Sequence, residues 1–316
     1  GNVVGIRAAA LKYFNRRPEQ LSWAEAALLA VLPNAPALLY PGKNNTLLKQ
    51  KRDGLLAKLY REGVMSEDSY HLALAEPLPE KKFDIPTVAP HLLAKAYREK
   101  KGKVCPTYID GRLQKKINEI VERHTALLSQ NYIYNMAVLV AHVPTGEVRA
   151  YVGNSAPRKG SRGNDVDIVQ AVRSSGSILK PALYACMLRS GFILPGTLVP
   201  DIPSRFGSYS PSNFNRDFKG VVPARQALAQ SLNIPFVRLL KDYSYARFYD
   251  DLKQLGIRSL NRDADHYGLS LILGGAETSL WDICNLYGGM SAVLNHYNDR
   301  DGQYFDLSLI HISEPT

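Results

Sequence analysis

The segment Arg173-Ser-Ser-Gly-Ser-Ile-Leu-Lys-Pro-Ala-Leu-Tyr184 decides how this 316-residue chain is read. Ser177 and Lys180 stand three residues apart, and in a helix that spacing puts both side chains on one face. Pro181 confines the helix start, because a proline is tolerated only in the first turn, where its missing N–H costs nothing. Ser177 is therefore expected at or just before the helix N-terminus, where free N–H groups and the helix dipole favour developing negative charge. A serine hydroxyl is a weak nucleophile and needs a base. A lysine amine serves if desolvation lowers its pKa. The spacing supports serine acyl transfer, with Ser177 as nucleophile and Lys180 as its base.

Ser-x-x-Lys also describes a helix cap followed by a surface lysine. The context favours chemistry. The residues after Pro181 run Ala182, Leu183, Tyr184, Ala185, Cys186, Met187, Leu188, so this helix is expected to be buried nearly all round. A lysine at the start of such a helix is costly unless it has a chemical role.

With 45% hydrophobic residues, the chain is long enough for two domains with their own cores. A net charge of +10 suits an anionic partner such as a lipid headgroup or an acidic polymer. The basic residues are scattered and no nucleic-acid motif accompanies them, so no nucleic-acid partner is expected. Cys105, Cys186 and Cys284 are far apart and lack metal-ligand spacing. Cys186 and Cys284 lie in apolar helical patterns and are expected to fill core space.

No apolar run approaches the ~18 residues of a membrane-spanning helix, and no leader pattern is present. The chain starts without methionine inside what reads as a helix entry. It ends at Leu307-Ser-Leu-Ile-His-Ile-Ser-Glu-Pro-Thr316, which neither caps nor completes an element. The sequence is expected to be a truncated piece of a longer one.

Residues 1–75 read as all-helical. A helix covers residues 3–14. Ser22 and Glu25 form a capping box for the helix from Trp23 to Leu32, which stops at Pro33. Pro33 to Pro41 is a proline-punctuated connector. A helix from about Leu47 to Glu62 carries Leu48, Leu55, Leu56 and Leu59 on one face, and Ser66 caps another over Glu67–Leu74. Glu76-Pro-Leu-Pro-Glu-Lys-Lys82 has linker composition, and the linker is placed at 76–106 with a short helix at His91–Arg98.

Residues 107–306 read as a second domain mixing helices and strands. A helix fills 111–130. Met136–Val143 is a buried strand by its β-branched run, and Val148–Gly153 returns as the second strand of a hairpin. The serine helix follows, then an irregular stretch at 195–221 and a helix pair, Pro223–Gln230 and one starting at Pro235. Ser231 and Asn233 lie in the link of that pair and point the same way if it is locally extended. They suit proton relay and fixing of a substrate amide, or routine capping of the two helices. Leu269–Gly275 ends in Gly-Gly, but no Gly-Lys-Ser/Thr follows, which excludes a phosphate loop. A last helix is expected at about Ser279–Leu294.

Ser177-Ile-Leu-Lys180 followed about fifty residues later by Ser231-Leu-Asn233 resembles the penicillin-binding proteins and class A β-lactamases. Further stretches resemble the class A penicillin-binding proteins, and their type 1C subgroup most. Thr107–Gln114 is similar to the entry of the transpeptidase region, and Met136–Gly153 to the strand pair before its nucleophile. Arg173–Pro181, Tyr209-Ser-Pro-Ser-Asn-Phe214 and Leu269–Gly275 resemble the type 1C forms. Gly1–Phe14 with Leu21–Pro33 resembles the closing part of the lysozyme-like glycosyltransferase domain, which β-lactamases lack.

The resemblance implies an all-α glycosyltransferase remnant followed by an α/β penicillin-binding, β-lactamase-like transpeptidase domain. It implies catalytic roles for Ser177, Lys180, Ser231 and Asn233 in a peptidoglycan synthase. Substrates would be lipid II and D-Ala-D-Ala stem peptides, with β-lactams as inhibitors and other cell-wall synthesis proteins as partners. The longer protein would be anchored in the bacterial inner membrane with its domains outside the cytoplasm. Transpeptidation needs no cofactor, and a divalent metal is associated with the glycosyltransferase site.

Two departures matter. The glycosyltransferase glutamates belong to segments upstream of Gly1, and Glu19, Glu25 and Glu62 do not replace them. No Lys-Thr-Gly motif follows Asn233. Residues 307–316 resemble a non-native tail. These departures keep two alternatives open, a non-catalytic cell-wall scaffold and a soluble β-lactamase-like serine hydrolase.

Overall fold

The computed structural model describes residues 3, 5–34, 41–80, 82–84, 87–101 and 103–299. The connector at 35–40, Pro86 and the tail at 307–316 lie outside them. The chain divides into two compact units, Gly1–Thr87 and Val88–Thr316. No helix among the described residues is long and apolar enough to cross a membrane.

The first unit holds α1 (Ile6–Phe14), α2 (Trp23–Val31), α3 (Asn45–Arg61) and α4 (Glu67–Ala75). The Ser22–Glu25 capping box is formed at the start of α2, and Ser22 Oγ also donates to Glu76 Oε2 at 2.7 Å. Ala24, Ala27, Leu28 and Val31 recur at helical spacing and form the buried face of α2. They meet Leu48 and Leu56 of α3 and Ala73 of α4. Arg52 is buried on the same face as Leu48 and Leu56. Its guanidinium pairs with Asp53 at 2.7 Å and donates to the Glu76 carbonyl at 2.7 Å, which satisfies the charge inside the packing.

The second unit begins with α5 (Pro90–Glu99) and α6 (Gly111–Leu128). Asp110 caps α6 by accepting from Arg112 N and Leu113 N, and those bonds hold its carboxyl below the usual range. The strands β1 (Val138–Ala141) and β2 (Val148–Val152) form an antiparallel hairpin. Gln114 of α6 is fully buried and exchanges two hydrogen bonds with the Tyr151 backbone, 2.7 and 3.1 Å, standing in for a neighbouring strand. Leu92 of α5 packs with Val148, Tyr151 and Val169, so this helix belongs to the second unit. One expectation is corrected: β1 is half-buried along its length, and β2 is the buried strand of the pair.

The remaining elements are β3 (Arg173–Ser174), α7 (Lys180–Arg189), β4 (Leu198–Asp201), β5 (Gly220–Pro223), α8 (Ala224–Ala229), α9 (Asn233–Tyr243), α10 (Tyr245–Gln254), α11 (Ala264–Tyr267), β6 (Glu277–Thr278) and α12 (Leu280–Asp299). β3 pairs with β6 and β4 with β5, both antiparallel. Helix α9 is the centre of this half. Ile234, Phe236, Val237, Leu239, Leu240 and Tyr243 are all buried, so it is enclosed along most of its length, with Lys241 and Asp242 exposed near its end. Leu179, Leu183 and Met187 at the start and along α7, and Phe248 and Leu252 of α10, pack in the same core. Strand β4 and the start of β5 lie in the 195–221 stretch that reads as irregular. Pro223 ends β5 and precedes α8 instead of opening it.

Candidate active site

The turn that carries Ser177 is fixed from three directions. Gly176 has φ 55°, and Gly274 opposite it has φ 104°. Ser174 Oγ donates to the Gly274 carbonyl at 2.7 Å, and Ser175 N donates to the Ala276 carbonyl at 3.0 Å. Tyr287 Oη of α12 donates to the Ile178 carbonyl at 2.7 Å. Lys180 N donates to the Ser177 carbonyl at 3.1 Å, so the serine occupies the last turn before α7, where the sequence places it. Ser177 is half-buried, and its hydroxyl makes no hydrogen bond among the described residues.

Lys180 is 1% exposed at the first position of α7. Its Nζ donates to the Ser231 carbonyl at 2.7 Å, to Ser231 Oγ at 3.2 Å and to Asn233 Oδ1 at 2.8 Å. Those three acceptors match the three protons of an ammonium. The Phe236 ring lies 5.6 Å from Nζ and closes the apolar side. Burial pushes the Lys180 amine down to about 8. The cost of holding an ammonium away from water favours the neutral amine.

Ser231 and Asn233 converge on Lys180 because the link bends and then extends. Ser231 has φ 51°, a left-handed conformation, and Leu232 is extended at φ −62°, ψ 136°. The Asn233 side chain does not cap its own helix. Its Oδ1 faces Lys180, and its Nδ2 donates to the Ser212 carbonyl at 2.8 Å. Thus the side chains of Lys180, Ser231 and Asn233 are joined directly, and the Ser177 hydroxyl stands on the adjoining turn without a bond to the lysine amine.

Sequence reasoning misses the loop that holds Asn233. Asn213 Oδ1 accepts from Asn233 N at 2.9 Å. Asn213 lies in the Tyr209–Phe214 stretch, where the resemblance is the only signal and assigns it no task. Cys186 is buried and Cys284 half-buried, and both thiols are free, with burial raising their pKa values. Among the described residues no group of three or more His, Cys, Asp or Glu side chains stands together as a metal site.

Comparison with known proteins follows the same division. Residues 1–60 match the transglycosylase family, and residues 136–291 match the penicillin binding protein transpeptidase domain. Penicillin-binding protein 1C of Escherichia coli is 33% identical over 287 residues, covering 91% of this chain and 37% of that protein. Penicillin-binding protein 1F of Bacillus subtilis is 27% identical over 295 residues, covering 87% of this chain and 40% of its own. The chain thus spans well under half the length of these relatives.

Among solved structures, penicillin-binding protein 1A of Haemophilus influenzae superposes with a TM-score of 0.58 at 17% identity, over 90% of this chain and 58% of that one. It supports the fold. With transglycosylase and transpeptidase regions in this order and relatives of the same build, the chain belongs to the class A penicillin-binding proteins.

Proposed function

We propose that the protein carrying this sequence is a peptidoglycan synthase whose transpeptidase acts through Ser177 on D-Ala-D-Ala stem peptides. The observation that carries the reading is Lys180: a buried amine, lowered to about 8, held against Ser231 and Asn233 beside the serine turn. The neutral amine keeps two N–H bonds to its present acceptors and turns its lone pair to the Ser177 hydroxyl. It takes that proton as Ser177 Oγ bonds to the carbonyl carbon of the penultimate D-Ala. Collapse breaks the C–N bond, and the departing D-Ala amine takes a proton from Lys180 through Ser231 Oγ. Asn233 orients the donor peptide, and backbone N–H groups of the turn, that of Ser177 among them, receive the oxyanion. A second peptide's amine then releases the acyl group from Ser177. A β-lactam acylates Ser177 by the same attack.

Residues 1–75 are the closing part of a glycosyltransferase domain that acts on lipid II, 76–106 the connector, whose helix α5 packs within the second unit, and 107–306 the transpeptidase domain. The longer protein sits at the bacterial inner membrane with these domains outside the cytoplasm, where basic surface meets anionic headgroups. The divalent metal associated with glycosyl transfer finds no ligand group among the described residues.

The test is acylation of the full-length protein by a fluorescent penicillin. Labelling lost in Ser177→Ala supports the reading, and undiminished labelling rejects it.

A further inference from the structure

Helix α9 must present Asn233 to Lys180, yet it starts without a cap of its own, because its N-cap Leu232 offers no side-chain acceptor. The acceptor comes from a loop twenty residues upstream. Asn213 Oδ1 accepts from Asn233 N at 2.9 Å and from Ile234 N at 3.4 Å. The other end of that amide is fixed too. Asn213 Nδ2 donates to Asp201 Oδ1 at 2.7 Å and to the Asp217 carbonyl at 2.9 Å. Asp201 ends β4 and is 0% exposed, and its second oxygen accepts from Lys219 N at 3.0 Å.

Resting on the acyl-transfer reading, we propose that the buried pair Asp201–Asn213 is a positioning unit that sets the start of α9, and so holds Asn233 against the Lys180 amine. Three features argue for it. The pair is nearly waterless, with Asn213 6% exposed, so its geometry is rigid and each unmade bond is costly. The carboxylate accepts from both Asn213 and Lys219 N, so the amide orientation is dictated and Oδ1 must face α9. The neighbouring Ser212 carbonyl takes the Asn233 amide, so one short loop grips both the backbone and the side chain of that residue. Displacing the loop takes an acceptor from the ammonium, which lowers the Lys180 pKa further and removes the amide that orients the donor peptide. The groups facing the amine are Ser231, Asn233 and the Phe236 ring, and no ion pair to Lys180 is found among the described residues.

The experiment uses the full-length protein with a β-lactam, separating the saturating acylation rate from the half-saturating concentration across pH. Asn213→Ala is expected to lower the rate about 10- to 100-fold, the range for a misplaced catalytic group. The pH at which acylation is half-maximal moves downward. The exchange of Asp201→Asn with Asn213→Asp re-forms the bond between the two side chains with donor and acceptor reversed, but turns a carboxylate oxygen to the Asp217 carbonyl, so it recovers only part of the rate lost in either single variant. The proposal is overturned if Asn213→Ala acylates within twofold of the parent, or if its loss follows only the fraction unfolded with an unmoved pH profile. A parent protein that is not labelled at Ser177 would instead bring down the acyl-transfer reading itself.

Discussion

Lys180 Nζ lies 2.8 Å from Asn233 Oδ1, joining the first residues of two helices 53 positions apart in the chain. The contact fixes the amine in a dry pocket and uses one of its three protons. With Ser231 taking the other two, the ammonium has no proton left to offer the Ser177 hydroxyl, which gains a partner when the amine becomes neutral.

The pH dependence of acylation follows. Burial lowers the Lys180 amine to about 8, so the base form accumulates as pH rises through that value. Second-order acylation by a β-lactam should climb about tenfold per pH unit below it and level off above it. Lys180→Arg, which stays charged, should lose about 10²- to 10⁴-fold, the usual contribution of a positioned base. A profile flat from about pH 6 to 9 would contradict this.

Stability carries the same signature. Unfolding returns the amine to its ordinary value of 10.5, so between about 8 and 10.5 the unfolded chain holds a proton that the native chain has lost. Stability contributed by this group therefore rises with pH across that window. The denaturant midpoint of the native protein should gain on that of Lys180→Met between about pH 7 and 10. A constant difference, or one moving the other way, would refute the buried, shifted amine.

Gly274 supports the serine turn from outside. A Cβ there would meet Ser174 Oγ at 2.6 Å, Gly176 N at 2.9 Å and Gly176 Cα at 3.0 Å, and φ is 104°. Gly274→Ala should cost about 1–3 kcal/mol in strain and slow acylation, because the displaced backbone leads directly into Ser177. Thermal melting and penicillin labelling check both parts. A variant with native stability and rate would show that the turn is not held there.

In the first unit, Ser22 Oγ accepts from Glu25 N at 3.1 Å and donates to Glu76 at 2.7 Å. Ser22→Ala should cost about 1–2 kcal/mol, the upper range for a lost cap. Limited proteolysis should open residues 1–75 first, while β-lactam acylation stays within twofold. Loss of labelling in step with that opening would contradict separate units.

Local signals made much of this legible. The Ser22–Glu25 box and the Ser66 cap each lie within four residues and are found where the sequence puts them. The burial of Lys180 was legible because apolar residues surround it in its own helix. What escaped depends on distant partners. β4 and β5 are four-residue strands containing Pro200 and Pro223, and they exist through each other. Asp201 and Asn213 meet twelve residues apart through a loop with no periodicity to mark it. Gln114 reads as one more polar helix residue until β2 is placed beside it.

The most direct test is to label the full-length protein with a β-lactam, digest it and weigh the peptides. A single adduct is expected on the peptide containing Ser177, absent in Ser177→Ala and slowed in Lys180→Arg. An adduct on another residue, or an equal adduct in Ser177→Ala, would contradict it.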